Sequence, residues 1–278
     1  MLKREIIVRW SMKKGVAVLV ASAAAFVIGG CAVTPAVQQD ACRLTEVPKG
    51  DLVMQMPFEI IDGRVFVQAR VNERGPFRFA VDTGASGTAR ADKSLVSALG
   101  LTIQGQASTS DGVQTSNVDT THLRSLELVG LVRQNLDVIT RDYSGRKSPD
   151  AAFFGIVGRD FFADGLLIID YPRKLLSFSR ARGLSPTDKN VLTYERAFRV
   201  PVSIGALQTE GNLDTGANVT FVLPQALFDK VATAPAVQAG RGQLTNVEIE
   251  TRRSTVRGPF QIGAATLADV DVRVSDRY

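Results

Sequence analysis

The sequence Val81-Asp82-Thr83-Gly84-Ala85-Ser86 is the most informative segment of the chain, because it recurs as Leu213-Asp214-Thr215-Gly216-Ala217-Asn218. Each copy follows an apolar segment with alternating polarity, which ends at Val71 in the first half and at Ile204 in the second. Val71 precedes Asp82 by eleven residues and Ile204 precedes Asp214 by ten. Alternation with a period of two is typical of a half-buried β-strand. The repeat therefore indicates an internal duplication.

Further segments recur in the same order after each motif. A short helix is expected at Asp92–Leu99, closed by Gly100, and a second one at Gln225–Val231 after Pro224. Alternating segments follow in each half, at 126–128 with 136–138 and at 260–262 with 270–272. The two halves therefore read as related units of one design.

Short strands and turns dominate the rest of the chain. Pairs that favour strand reversal occur at Asp62-Gly63, Gly75-Pro76 and Asp111-Gly112, and long amphipathic helical stretches are nearly absent. The sequence therefore predicts an all-β protein with an N-terminal lobe at 53–185 and a C-terminal lobe at 186–278.

The first thirty residues are typical of an export signal. Lys13 and Lys14 precede an apolar run from Gly15 to Gly30, which is short for a membrane span. Ile28-Gly29-Gly30-Cys31 resembles the lipobox of bacterial lipoproteins, which implies a signal peptide at 1–30 and lipidation of Cys31. The alternative is a transmembrane anchor with an incidental cysteine.

Residues 31–52 lack an apolar period, as expected of a tether. The remaining cysteine, Cys42, has no partner if Cys31 carries a lipid. Because Ala32 follows the lipidated position, the resemblance to sorted lipoproteins implies anchoring in the outer membrane, facing the periplasm.

Composition and charge exclude several classes of function. A hydrophobic fraction of 45% is ordinary for a globular protein. The net charge of +5 comes mostly from residues 1–30, which hold five basic side chains against Glu5, so no concentrated basic surface for nucleic acid is expected. With His122 as the only histidine, neither a metal site, a cofactor nor a serine or cysteine hydrolase triad is expected.

The duplicated motif resembles the active-site loops of aspartic proteases, and the alanine after Asp-Thr-Gly is similar to the retroviral-type and bacterial retropepsin-like branch. The resemblance implies that Asp82 and Asp214 are the catalytic pair. It also implies that Thr83 and Thr215 hydrogen-bond across the lobe interface. Gly84 and Gly216 let the two loops pack closely, where a side chain would push them apart.

The chemistry of such a pair follows from its charge. Two adjacent carboxyl groups cannot both ionise easily, so they share one proton. One oxygen can then take a proton from water while the other carboxyl donates to the substrate carbonyl. The alternative for each aspartate alone is a turn or capping residue without a catalytic role. Ser86 and Asn218 are expected to form local hydrogen bonds, with a weaker claim to substrate contact.

The resemblance extends to Phe154-Gly155-Ile156-Val157-Gly158, which is similar to the segment threaded beneath the catalytic loop in this fold. A buried strand without chemistry is the plain alternative. The Asp111-Gly112 hairpin is either a flap over the cleft or an ordinary surface hairpin.

The C-terminal lobe departs from this pattern. Gly158 lies 76 residues after Asp82, whereas only 64 residues follow Asp214. Three explanations stay open: another segment completes the C-terminal lobe, the chain is truncated, or catalysis has been lost. The expected function is a membrane-tethered aspartic endopeptidase that acts on polypeptides. The alternative is a catalytically silent peptide-binding lipoprotein, and pairing of two chains as a homodimer stays open.

Overall fold

The computed structural model describes residues 5–11, 16–22, 47–110, 113–143, 149–181, 183–188, 191–194, 197–243 and 247–276. Side chains are described in these ranges except at 5–11, 16–22, 149 and 243. Cys31, Cys42 and the Asp111-Gly112 turn lie outside the described residues.

The described chain is all-β, as predicted, with two short α-helices. Its strands are β1 (Glu5–Ser11), β2 (Val16–Ser22), β3 (Leu52–Pro57), β4 (Glu59–Ile61), β5 (Arg64–Val71), β6 (Arg74–Asp82), β7 (Ala89–Asp92), β8 (Ile103–Ser110), β9 (Thr115–Leu128), β10 (Leu131–Arg141), β11 (Gly155–Gly158), β12 (Leu166–Asp170), β13 (Leu175–Ser179), β14 (Val191–Thr193), β15 (Arg199–Ile204), β16 (Leu207–Asn212), β17 (Phe221–Pro224), β18 (Val237–Gln243), β19 (Glu248–Ile262) and β20 (Ala265–Ser275). Short 3-10 turns occur at Lys49–Asp51, Pro149–Ala151 and Arg159–Phe162.

The N-terminal lobe is built on an eight-stranded sheet in the order β4-β5-β6-β11-β7-β10-β9-β8. An additional pairing of β5 with β9 curls this sheet back on itself. Val65, Val67, Ala69 and Val71 all point into the enclosed core, which confirms the predicted strand. Burial of such alternating apolar faces is the main term that stabilises the lobe.

The C-terminal lobe has its own hydrophobic core and a smaller sheet, in the order β16-β15-β19-β20-β17, with β18 added to β19. Val200, Val202 and Ile204 of β15 enter this core, again as predicted. The predicted segments at 126–128 and 136–138 form the β9–β10 pair, and those at 260–262 and 270–272 lie in the β19–β20 pair.

A third sheet, in the order β14-β2-β1-β12-β13-β3, combines strands from widely separated parts of the chain. The signal peptide at 1–30 stays a prediction. Its cleavage before Cys31 would remove β1 and β2 from this third sheet. No helix within the described ranges is long and apolar enough to cross a membrane.

The helices α1 (Lys93–Leu99) and α2 (Gln225–Val231) are the two expected from sequence. Asp92 caps α1 by accepting a hydrogen bond from Ser94 N at 2.9 Å, and Gly100 ends it in the left-handed conformation, with φ of 64°. Pro224 precedes α2.

One predicted turn is displaced. Asp62 and Gly63 both have positive φ and connect β4 to β5 as expected. The reversal from β5 to β6 is made by Asn72 and Glu73, also with positive φ, whereas Gly75-Pro76 lies within β6. Because asparagine tolerates left-handed backbone better than most residues, Asn72 was the better turn signal.

Candidate active site

Asp82 is the last residue of β6, in the interior of the N-terminal sheet. Parallel pairing sets it opposite Gly158 on β11. Its Oδ1 accepts a hydrogen bond from Ala85 N at 2.9 Å, so the carboxyl group is fixed to the loop that follows it. The side chain is partly buried.

Asp214 follows β16, which is the edge strand of the C-terminal sheet. Its Oδ1 accepts a hydrogen bond from Gly216 N at 2.8 Å. Asp214 is more exposed than Asp82. The two motifs therefore have similar sequences and local hydrogen bonds but different surroundings.

Reciprocal hydrogen bonds join the two loops through Thr83 and Thr215, both buried. Thr83 N donates to Thr215 Oγ1 at 3.1 Å, and Thr215 N donates to Thr83 Oγ1 at 2.9 Å. Each hydroxyl then donates across the interface to a backbone carbonyl, Thr83 to Leu213 O at 2.8 Å and Thr215 to Val81 O at 2.7 Å. This network relates the loops by an approximate twofold axis and satisfies all four buried polar groups.

Gly84 and Gly216 allow the carboxyl groups to lie at this axis. A Cβ on Gly84 would lie 2.7 Å from Asp214 Oδ1, and a Cβ on Gly216 would lie 2.6 Å from Asp82 Oδ1. Any larger residue at either position would collide with the carboxyl group of the opposite loop. The close approach predicted from the sequence is thus present, and each aspartate rests against the glycine of the other motif.

Asp82 has a pKa that is raised from 3.8 to about 7. Burial is the largest cause, followed by the negative charge of Asp214, while the positive charge of Arg90 opposes both. A hydrogen bond with the Asp214 side chain raises the pKa further. A carboxyl group in this setting holds its proton through the weakly acidic range, as general acid chemistry requires.

Two arginines hold the backbone of the loops, and the sequence reading missed both. Arg159 Nη1 donates to Gly84 O at 3.2 Å, and Arg64 Nε donates to Gly216 O at 2.7 Å. Arg64 also contacts Asp62, whose carboxylate accepts a further bond from Asn218 Nδ2 at 3.0 Å. The adjacency of Arg159 to the threaded segment was a usable signal, whereas nothing in the local sequence marks Arg64.

The segment from Gly155 to Gly158 is threaded as the resemblance implied. It is strand β11, fully buried, parallel to β6 and antiparallel to β7. Beyond it, Asp160 Oδ2 accepts a hydrogen bond from Gly87 N at 3.0 Å, and Arg159 N donates to Ala85 O at 3.1 Å. The strand therefore fixes the loop that carries Asp82.

Outside the motifs, His122 lies on β9, and its Nδ1 is 2.8 Å from Oδ1 of the exposed Asp137. Within the described ranges, no group of three or more histidine, cysteine, aspartate or glutamate side chains is arranged to hold a metal ion. Ser86 is exposed and lies at the edge of an open cleft beside the Asp82 loop.

Comparison with known families adds to this geometry. Residues 67–161 match the aspartyl protease family. The match contains Asp82, Gly84 and the threaded segment, and it ends before the second motif. It supports an aspartic protease relationship for the N-terminal lobe. No curated protein sequence matches the chain.

Solved structures that are similar to this chain include two aspartic proteases. A retropepsin-like aspartic protease from Rickettsia conorii is 20% identical, with 45% of this chain and 89% of that one covered and a TM-score of 0.33. An aspartic proteinase from Irpex lacteus is 15% identical, with 77% of each chain covered and a TM-score of 0.41. These similarities are too low to assign individual residues.

Proposed function

We propose that the protein is an aspartic endopeptidase in which Asp82 and Asp214 share one proton and activate water at the lobe interface. The observation that carries the proposal is the reciprocal packing of the loops, with each carboxyl group against the opposite glycine. Two aspartates that merely occupied unrelated turns would not lie on loops that four matching threonine hydrogen bonds join.

The reaction follows from the protonation of the pair. The ionised carboxylate takes a proton from water as the water oxygen bonds to the carbonyl carbon, and the other carboxyl group donates its proton to the carbonyl oxygen. As the C–N bond breaks, the pair donates a proton to the departing nitrogen and takes one from a hydroxyl group of the diol, so the products are a carboxylic acid and an amine. The pair ends with the one proton that it had at the start. Which aspartate is acid and which is base is a property of the pair.

The same proposal places the protein at the cell envelope, with lipid on Cys31 holding the catalytic lobes on the periplasmic side of the outer membrane. Its support is the resemblance of the sequence ending at Cys31 to a lipobox. A polypeptide is the proposed substrate, bound extended between the lobes.

A cleavage assay tests the proposal. Full-length protein in detergent should cleave an unfolded protein mixture, and Asp82→Asn and Asp214→Asn should each reduce the rate by about a thousandfold. The rate should also fall as the pH rises through about 7, because Asp82 then loses its proton. Asp51→Asn, at an exposed position, serves as the matched control.

The silent peptide-binding alternative predicts a different result. It gains some support from the C-terminal lobe, where no strand within the described residues corresponds to β11. Peptide binding without cleavage at any pH would establish that alternative. Cleavage that survives both asparagine substitutions would assign the activity to another site.

A further inference from the structure

Arg90 is an unexpected charge at the centre of the N-terminal lobe. It lies on β7 between Ala89 and Ala91, both of which point into the buried core. Since side chains alternate along a strand, Arg90 points to the opposite face of the sheet.

That face is the one that carries Asp82. Arg90 pairs with Ile156 on β11, and Ile156 pairs with Ala80 on β6. Asp82 is two residues beyond Ala80 and therefore shares its face. The two side chains are close enough for the charge of Arg90 to lower the pKa of Asp82. The guanidinium thus lies beside the proposed catalytic pair.

Arg90 Nε and Tyr143 Oη are both buried near this point without a hydrogen bond of ordinary geometry, yet the Arg90 side chain is close enough to the Tyr143 hydroxyl to offset part of the rise in its pKa that burial causes. The Tyr143 ring is held by stacking on Phe153, with 6.5 Å between centroids, and its backbone N donates to Asp92 Oδ2 at 2.7 Å. Unsatisfied buried donors are costly, and a guanidinium is suited to a planar, bidentate acceptor. The Arg90 guanidinium, held beside the Tyr143 hydroxyl, therefore has donor capacity left for an oxygen ligand.

An open cleft of about 390 Å³ meets Arg90 from the solvent side. It lies between the Asp82 loop, the end of β8 and strand β10, and Ser86, Thr88 and Ser108 contribute hydroxyl groups to its lining. Asp137 is the acidic residue of this lining, and it is paired with His122 at 2.8 Å. The cleft is continuous with the loop of Asp82, so a peptide bound at the pair would pass it.

We propose that Arg90 is a specificity-determining residue that binds a carboxylate of the peptide next to the bond presented to Asp82 and Asp214. This inference rests on the proposed function for the position of the peptide. When Asp82 is protonated it does not neutralise the guanidinium, which leaves Arg90 available to a substrate carboxylate. An aspartate or glutamate side chain and a free C-terminus offer the same chemistry.

Peptide binding separates these sources. The full-length Asp82→Asn protein, in which position 82 stays uncharged, would be titrated in detergent by fluorescence anisotropy with four labelled peptides of otherwise identical sequence. They carry glutamate or glutamine at one internal position, each with a free or an amidated C-terminus. We expect the glutamate peptides to bind about ten- to a hundredfold more tightly than the glutamine peptides, whichever C-terminus they have. A preference that follows the free C-terminus instead would identify that carboxylate as the ligand.

Substitutions then connect the preference to Arg90. Arg90→Met should abolish it and leave the affinity of the glutamine peptides unchanged, whereas Arg90→Lys should retain part of it because the charge persists without the bidentate geometry. If Arg90→Met does not fold, Thr88→Asp places a competing carboxylate in the lining of the same cleft and should give the same loss.

The outcomes distinguish this inference from the proposed function. A glutamate preference without any cleavage by the wild type would refute the peptidase and keep the carboxylate site. Cleavage with equal affinity for glutamate and glutamine peptides would overturn the role of Arg90 and keep the peptidase. A preference that survives Arg90→Met, or the absence of peptide binding, would also overturn it.

Discussion

The two motif loops have almost the same sequence and unequal support. In the N-terminal lobe, β11 lies between β6 and β7 and continues into Arg159, which binds Gly84 O. In the C-terminal lobe, β16 and β17 are at the two ends of the strand order, and among the described residues no strand is hydrogen-bonded to both of them. The guanidinium that donates a hydrogen bond to Gly216 O belongs instead to Arg64 of the N-terminal lobe.

This difference shows how an asymmetric protein can hold a symmetric centre. The threonine bonds and the glycine contacts are reciprocal, so they need equal contributions from both motifs. The outer supports are supplied by the N-terminal lobe alone. The position of Asp214 should therefore depend on the other lobe more than the position of Asp82 does.

Breaking the threaded strand should have the largest effect. A Cβ on Gly158 would collide with the backbone oxygen of Gly87 and lie 3.1 Å from Ala85 O, and backbone atoms of this loop cannot move without moving Asp82. We expect Gly158→Ala to destabilise the protein by about 4 kcal/mol in urea unfolding and to abolish cleavage.

Gly183→Ala is the matched control, because a Cβ there meets nothing within 4 Å. It should change the free energy of unfolding by less than about 0.5 kcal/mol. Equal stability of the two variants would show that β11 does not support the loop as described.

An intermediate effect is expected from the proton on Asp82. Its folded pKa of about 7 is above its unfolded value of 3.8, so between these values the folded state binds more protons than the unfolded state. Stability should therefore fall as the pH rises from about 4 to 7 and level off above it. Asp82→Asn should remove about 4 kcal/mol of this change.

Asp214→Asn tests the coupling between the loops. Because the charge of Asp214 raises the pKa of Asp82, removal of that charge should lower the pKa of Asp82. The free energy of unfolding should then depend on pH less steeply than in the wild type, but the dependence should persist. Urea unfolding at a series of pH values measures all three proteins. Parallel curves for wild type and Asp82→Asn would contradict the raised pKa.

The sequence predicted what depends on local pattern and missed what depends on tertiary approach. Alternating polarity identified β5 and β15, and Gly100 and Pro224 identified the end of α1 and the start of α2. The contact of Gly84 with Asp214 followed from the duplicated motif. By contrast, Arg64 and Tyr143 reach the site through long-range packing, which leaves no periodic trace in the chain.

Arg90 is an intermediate case. An arginine flanked by the buried Ala89 and Ala91 is unusual, and it indicates that one face of the strand is not part of the core. The sequence could not show that this face carries Asp82, because that depends on the insertion of β11 between β6 and β7.

The smallest expected effect compares the two arginine supports. Arg64 donates to Gly216 O at 2.7 Å and Arg159 to Gly84 O at 3.2 Å, with side chains 19% and 21% exposed. We expect Arg64→Met to cost about 2 kcal/mol and Arg159→Met about 1 kcal/mol, since β11 still holds the loop of Gly84 while no strand replaces Arg64. Arg173→Met, at a side chain that is 70% exposed, should cost less than about 0.5 kcal/mol in the same urea titrations. If Arg159→Met is the more damaging variant, the N-terminal loop depends on its guanidinium as much as on its strand, and the C-terminal lobe has a support of its own.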